Sequence, residues 1–140
     1  MLILATQSQM NTMARVKINL EYILDVTSKD ILWDSISTPA GLEGWFADKV
    51  ESNDKVATFK WGKTEERRAE IATVRTYNYI RFKWEDNPYK REYFELRMGV
   101  SELTNDYILE VRDFADADEV EEVEDIWNSQ IERLRRIKGF

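Results

Sequence analysis

The chain has 140 residues, a hydrophobic content of 43% and a formal net charge of -7, which is enough apolar material for one compact core built without covalent staples. It has no cysteine and no histidine, which excludes disulfides, thiolate nucleophiles, cysteine zinc sites and every mechanism that leans on an imidazole. Its acidic balance repels a phosphate backbone, so nucleic acid is not expected as a partner.

Met1 to Ala5 is apolar but lacks the basic start and the length of a signal peptide, and no run approaches a membrane span. The expectation is a soluble cytoplasmic protein with a loose leader over residues 1–13 and one domain over 14–140, with no cofactor and no metal. Val16, Ile18, Leu20 and Tyr22 alternate with Lys17, Asn19 and Glu21, the period of a strand with one wet and one buried face. Thr27 or Ser28 then caps a short helix through Trp33 and Ile36, with Asp30 placed for a capping box behind Thr27. A second short helix follows at once. Thr38 is its cap, Pro39 sits where a missing N–H does no harm, and Leu42, Trp45 and Phe46 form its apolar side; Gly41 and Gly44 weaken it.

From Asp48 to Phe114 the strand period returns. Lys49 to Glu51 reads as a short strand, Ala57, Phe59 and Trp61 as one side of the next, and Arg67 to Arg75 as a weaker strand around Ala69 and Ile71. Three more follow, carrying Ile80, Phe82 and Trp84, then Phe94, Leu96, Met98 and Val100, then Tyr107, Leu109 and Val111. Turn residues separate them at Ser52-Asn53-Asp54, Gly62, Asp86-Asn87-Pro88 and Thr104-Asn105-Asp106, and Gly99 predicts a bulge or sharp bend. Glu65-Glu66 and Arg67-Arg68 read as a loop and strand edge without chemistry.

Ala117 to Lys138 closes the chain as one long amphipathic helix. Val120, Val123, Ile126, Trp127, Ile131, Leu134 and Ile137 recur at three- and four-residue steps, acids crowd the first turns, and Arg133, Arg135, Arg136 and Lys138 crowd the last. Such a rod needs a broad apolar surface to lie on. The element order therefore specifies an α+β fold: a curved antiparallel sheet of six to seven strands wrapped around a long C-terminal helix, with two short helices after the first strand.

The run from Ile31 to Phe46, Ile31-Leu32-Trp33-Asp34-Ser35-Ile36-Ser37-Thr38-Pro39-Ala40-Gly41-Leu42-Glu43-Gly44-Trp45-Phe46, resembles the helix-helix signature of proteins similar to the activator of the heat-shock protein 90 ATPase. The resemblance extends through Phe59-Lys60-Trp61-Gly62, Phe82-Lys83-Trp84, and Trp127 with Leu134, and covers roughly Val16 to Ile137. It implies the helix-grip fold of the START-like superfamily, whose members include lipid carriers, polyketide cyclases and chaperone co-factors. The chain departs from that family in having Thr76-Tyr77-Asn78 where a proline-containing turn is common, and in lacking a histidine near Val111.

If the last helix spans a hollow, the wall comprises Phe59, Trp61, Phe82, Trp84, Phe94, Leu96, Met98, Leu109 and Val111 from the sheet with Trp127 and Ile131 from the helix. The same side chains also suit an ordinary core. Gln130 falls inside the apolar stripe, where a buried amide must find either a core hydrogen bond or a ligand. Asp113 continues the inward parity of Leu109 and Val111 or else caps the loop at the strand end, and Tyr22 and Tyr107 present hydroxyls to the pocket or to solvent. Arg81, Lys83 and Arg97 face outward beside Glu95, Glu110 and Arg112, the pattern of a solvated sheet face with cross-strand pairs.

The function expected from these features is non-enzymatic binding of a hydrophobic small molecule or lipid between the sheet and the last helix, with Gly41 and Gly44 loosening the pocket mouth. The alternative is a protein-interaction or chaperone co-factor module that holds a protein partner through its surface. A cyclase- or hydratase-like enzyme is the third reading, and it would need Asp113 as a buried carboxylate with a raised pKa.

Overall fold

A computed structural model describes residues 14–140; the leader expected over residues 1–13 lies outside the described residues. The strands are β1 (Arg15–Leu24), β2 (Lys49–Ser52), β3 (Val56–Trp61), β4 (Glu65–Arg75), β5 (Tyr79–Trp84), β6 (Phe94–Val100) and β7 (Tyr107–Asp116). They form one curved antiparallel sheet of seven strands in the order β1-β7-β6-β5-β4-β3-β2. Consecutive strands from β2 to β7 are neighbours, as hairpin connections require, and β1 closes the far edge against β7, pairing Ile18 with Asp113 and Leu20 with Val111.

Two short helices fill the gap between β1 and β2: α1 (Lys29–Ser37) and α2 (Pro39–Leu42). Ser28, rather than Thr27, caps α1 by accepting from the Ile31 N–H, so the capping box expected from Asp30 does not form. Thr38 serves both helices at once. Its hydroxyl donates to the Asp34 carbonyl and accepts from the Gly41 N–H, which ties the end of α1 to the start of α2.

The closing rod starts as a 3-10 turn at Ala117–Glu119 and continues as α3 (Val120–Lys138). Gly139 ends it in the left-handed conformation (φ 74°), a stop that a residue without Cβ adopts at least cost. Trp127, Ile131 and Leu134 are its buried residues, and each such side chain stabilises the docked helix by about 1.5–3 kcal/mol. Ile126 and Ile137, placed in the apolar stripe by their spacing, are instead more than half exposed, because the sheet covers only the centre line of the rod.

Three other expectations change. The β4 strand begins at Glu65, so Glu65-Glu66 and Arg67-Arg68 belong to a ladder with β3. Gly99 pairs regularly with Ile108, and the register shift lies between Ile71 and Thr73 on β4. On the outer face Glu95 is fully buried, its carboxylate taken up by Arg81, Arg97 and Arg112 at 2.8, 3.1 and 3.3 Å. Alternation predicts which face a side chain occupies. It does not reveal that three guanidiniums will close over one acid.

Candidate functional site

The inner face of the sheet and the N-terminal half of α3 do not meet along their whole length. The central core, built on Phe59, Phe82, Leu96, Leu109, Val111, Ile131 and Leu134, is packed with each side chain almost fully buried. Toward the end of the sheet where β3 ends and β7 meets α3, a cavity of about 770 Å³ opens to the surface.

Its apolar wall is aromatic. Trp61 comes from the end of β3, Trp84 from the end of β5, Phe94 from the start of β6 and Trp127 from α3, with Phe46 lying after α2. The Phe46 ring is the hub of this wall, packing on Trp61, Trp84, Phe94 and Trp127 with ring centroids 5.3 to 6.5 Å apart. Its backbone matters equally. The Phe46 carbonyl accepts the Trp61 indole N–H and the Gln130 amide, both at 3.0 Å, so a single peptide group fixes a strand and the last helix to the segment after α2.

Polar groups are few at the inner end of the cavity. Asp113 sits two residues beyond Val111 on β7, on the inward side of the strand; its carboxylate accepts the Phe114 N–H at 2.8 Å and the Trp127 indole N–H at 2.9 Å. Burial raises its pKa above the ordinary carboxylate value, against the lowering effect of those two hydrogen bonds. Gln130 lines the same space beside it.

The rim is more charged. Arg67 lies across the Trp84 ring, its guanidinium carbon 3.8 Å from the centroid, and grips Asp86 through two hydrogen bonds of 2.9 and 2.8 Å. Arg15 of β1 bridges Glu92 and Asp116. The hydrogen bond from Arg67 holds Asp86, and that from Arg15 holds Glu92, below the ordinary carboxylate range. Tyr89 and Tyr93 complete this edge with Asn87 and Pro88.

Of the residues expected to bind ligand, Trp61, Trp84, Phe94, Trp127 and Gln130 are brought together around the cavity. Phe59, Phe82, Leu109, Val111 and Ile131 are not; they lie in the packed centre, while Met98 is partly buried at the core's edge. Gly41 and Gly44 also stand away from the opening. Gly41 is required where α1 and α2 touch, since a Cβ there would lie 1.9 Å from the Asp34 carbonyl oxygen. Tyr22 donates to Asn128 on the outside of α3 at 2.6 Å and, chiefly through burial, its pKa is pushed up to about 12.

Sequence reasoning missed Phe46, Arg15 and Arg67 as parts of this site. For Arg67 a signal exists: it precedes Ala69 and Ile71 by two and four residues and shares their parity. The spacing of Phe46 places it on the apolar side of the second helix, but that helix ends at Leu42, so the spacing points to burial and not to the cavity.

A family model described as a START-like superfamily domain matches residues 12–140. The chain belongs to that superfamily. Among solved structures, the START-like chain is 55% identical to BfR322 from Bacteroides fragilis, with a TM-score of 0.63 over 91% of this chain and 94% of that one. It is also similar to the Aha1 dimer from Colwellia psychrerythraea, at 11% identity and a TM-score of 0.66 over 83% of this chain and 90% of that one. MLL2253 from Mesorhizobium loti is similar at 11% identity and a TM-score of 0.69 over 89% of this chain and 97% of that one. At 11% identity the likeness is one of fold. No curated protein sequence matches significantly. Among the described residues, no helix of this START-like domain is long and apolar enough to cross a membrane.

Proposed function

We propose that this START-like domain is a binding module that takes a hydrophobic small molecule or lipid into the cavity between the sheet and α3 without transforming it. The observation that carries the reading is the cavity itself. Its volume of about 770 Å³ lies within the ~300–1,000 Å³ of small-molecule sites, and aromatic walls with a few convergent polar groups are the usual composition of such sites. Entry of an apolar ligand is driven by the area it removes from water, ~25 cal/mol per Å² before ordering costs. Asp113 and Gln130 then fix the orientation of its polar end.

Binding is favoured over catalysis by how the acids are engaged. Asp86 and Glu92 are held ionised by arginines, and among the described residues the hydrogen-bond partners of the Asp113 carboxylate are the Phe114 N–H and the Trp127 indole, neither of which can share a proton-transfer cycle with it.

The test combines organic extraction of the purified protein with titration of a solvatochromic dye. An extracted apolar molecule, or a dye whose emission shifts on binding and which quenches tryptophan fluorescence, is the expected result. Trp84→Ala should change dye affinity severalfold, whereas Leu103→Ser, at a side chain 95% exposed and absent from the lining, should not. A protein that yields no extract and leaves the dye unshifted would remove the reading.

A further inference from the structure

The cavity carries more negative charge than apolar binding requires. Its carboxylates, Glu65, Asp86, Glu92 and Asp113, outnumber its guanidiniums, Arg15 and Arg67, by four to two. Both cations are committed. Arg67 grips Asp86 with a two-pronged fork, and Arg15 spans Glu92 and Asp116. Among the described residues Asp113 and Glu65 therefore have no salt-bridge partner, and Asp113 is the deeper of the two.

Asp113 retains acceptor capacity. Each carboxylate oxygen has two lone-pair sites, and the Phe114 and Trp127 N–H groups use one on each. The space next to it is bounded by Phe94 and Trp127, whose ring centroids are 6.0 Å apart, and by Phe46. Ring faces carry the negative side of a quadrupole and attract cations, most strongly where water is excluded. The cavity shows this preference already in the guanidinium that lies over Trp84. An anionic head would meet the opposite: unpaired carboxylate, ring faces, and arginines released only by breaking the pairs with Asp86 and Glu92.

We propose that the cavity selects an organic cation, a ligand with an apolar body and a protonated-amine or quaternary-ammonium head seated between Asp113 and the rings of Phe46, Phe94 and Trp127. The inference rests on the binding reading above and narrows its ligand class. It also explains why a carboxylate stands in an apolar site where burial opposes its charge. The groups that face Asp113 are the indole of Trp127 on α3, Arg15 of β1 and Arg67 of β4, and the two arginines reach it only through longer-range attraction. A bound ammonium would supply the close counter-charge that they do not.

The experiment compares three probes with one chain length: decyltrimethylammonium, decanol and decyl sulfate, each below its micelle concentration, with affinity read by tryptophan fluorescence and calorimetry. The ammonium is expected to bind about tenfold more tightly than the alcohol, and the sulfate more weakly than the alcohol. Asp113→Asn should bring the ammonium down to near the alcohol's affinity, a severalfold larger loss than any change it makes in the alcohol's own binding. If that variant does not fold, wild-type protein carries the test: the preference for ammonium over alcohol should be smallest at the acidic end of the range in which the protein stays folded and grow as pH rises and Asp113 ionises. Decanol binding without preference for the ammonium, a preference insensitive to pH, or stronger binding of the sulfate overturns the inference while leaving the binding reading in place. Failure of all three probes to bind overturns both.

Discussion

The indole N–H of Trp127 donates to Asp113 Oδ2 at 2.9 Å, joining the first half of the last helix to the last strand at the wall of the cavity. The same bond supports the carboxylate electrostatically and ties α3 to β7. Trp127→Phe keeps most of the ring and removes the donor. It should cost about 1–3 kcal/mol, the penalty for stripping a partner from a buried polar group, measured by chemical denaturation, and it should raise the Asp113 pKa further. Unchanged stability would mean that the bond carries nothing.

Asp113 and Glu95 should tilt the pH dependence of stability in opposite directions. Burial raises the Asp113 pKa above its ordinary 3.8. Below 3.8 both folded and unfolded chains hold the proton; as pH rises from there through the folded pKa, the unfolded chain releases it first and stability falls. For Glu95 burial pushes the pKa up, but hydrogen bonds from Arg81 and Arg97 with the nearby Arg112 outweigh it and bring it below 4.5. Its stabilisation is complete above 4.5 and lost as pH falls through the lower folded value. Denaturant titrations of wild type and Asp113→Asn across the acidic range should show the wild type losing ground to the variant as pH climbs. A difference that stays flat would contradict the assignment.

Glu95 holds three guanidiniums that would otherwise repel one another on adjacent strands. Glu95→Gln keeps the shape and removes the charge that gathers them. It should cost about 2–3 kcal/mol, below the upper range for breaking a buried pair because the arginines reach water. Added salt should recover part of the loss by screening the remaining cations, and thermal melts at two ionic strengths would show it.

Gly41→Ala should be among the most disruptive small substitutions in the chain. The new Cβ would meet the Asp34 carbonyl oxygen at 1.9 Å and the Ser35 Cα at 2.8 Å, and backbone cannot swing aside as a side chain would. A cost of about 1–3 kcal/mol or more is expected from the forced separation of α1 and α2. The same substitution at Gly62, where no atom lies within 4 Å and only the positive φ of 60° opposes it, should cost about 1 kcal/mol. Equal losses at the two positions would show that the helix contact is looser than described.

The amino-acid sequence by itself determined the elements and their inner faces. Alternation in Phe59, Trp61, Phe82, Trp84, Leu109 and Val111 and the helical spacing of Trp127, Ile131 and Leu134 are local periodicities, and a strand or helix must bury whichever side they make apolar. The run from β2 to β7 followed from them, because hairpin turns set consecutive strands side by side, whereas the pairing of β1 with β7 joins distant parts of the chain. What only the tertiary structure decided is where packing stops. Phe59 and Trp61 share a strand face, yet one is buried in the centre and the other lines the cavity. The difference is set by which distant residues pack on each, among them Phe46, which reaches the cavity wall from beyond the end of α2. Glu95 teaches the same lesson on the outer face: its parity was legible, but its burial depended on Arg81, Arg97 and Arg112 arriving from three strands. Periodicity is a property of neighbours along the chain, whereas a cavity and a charge cluster are properties of residues that meet only when distant segments are folded against one another.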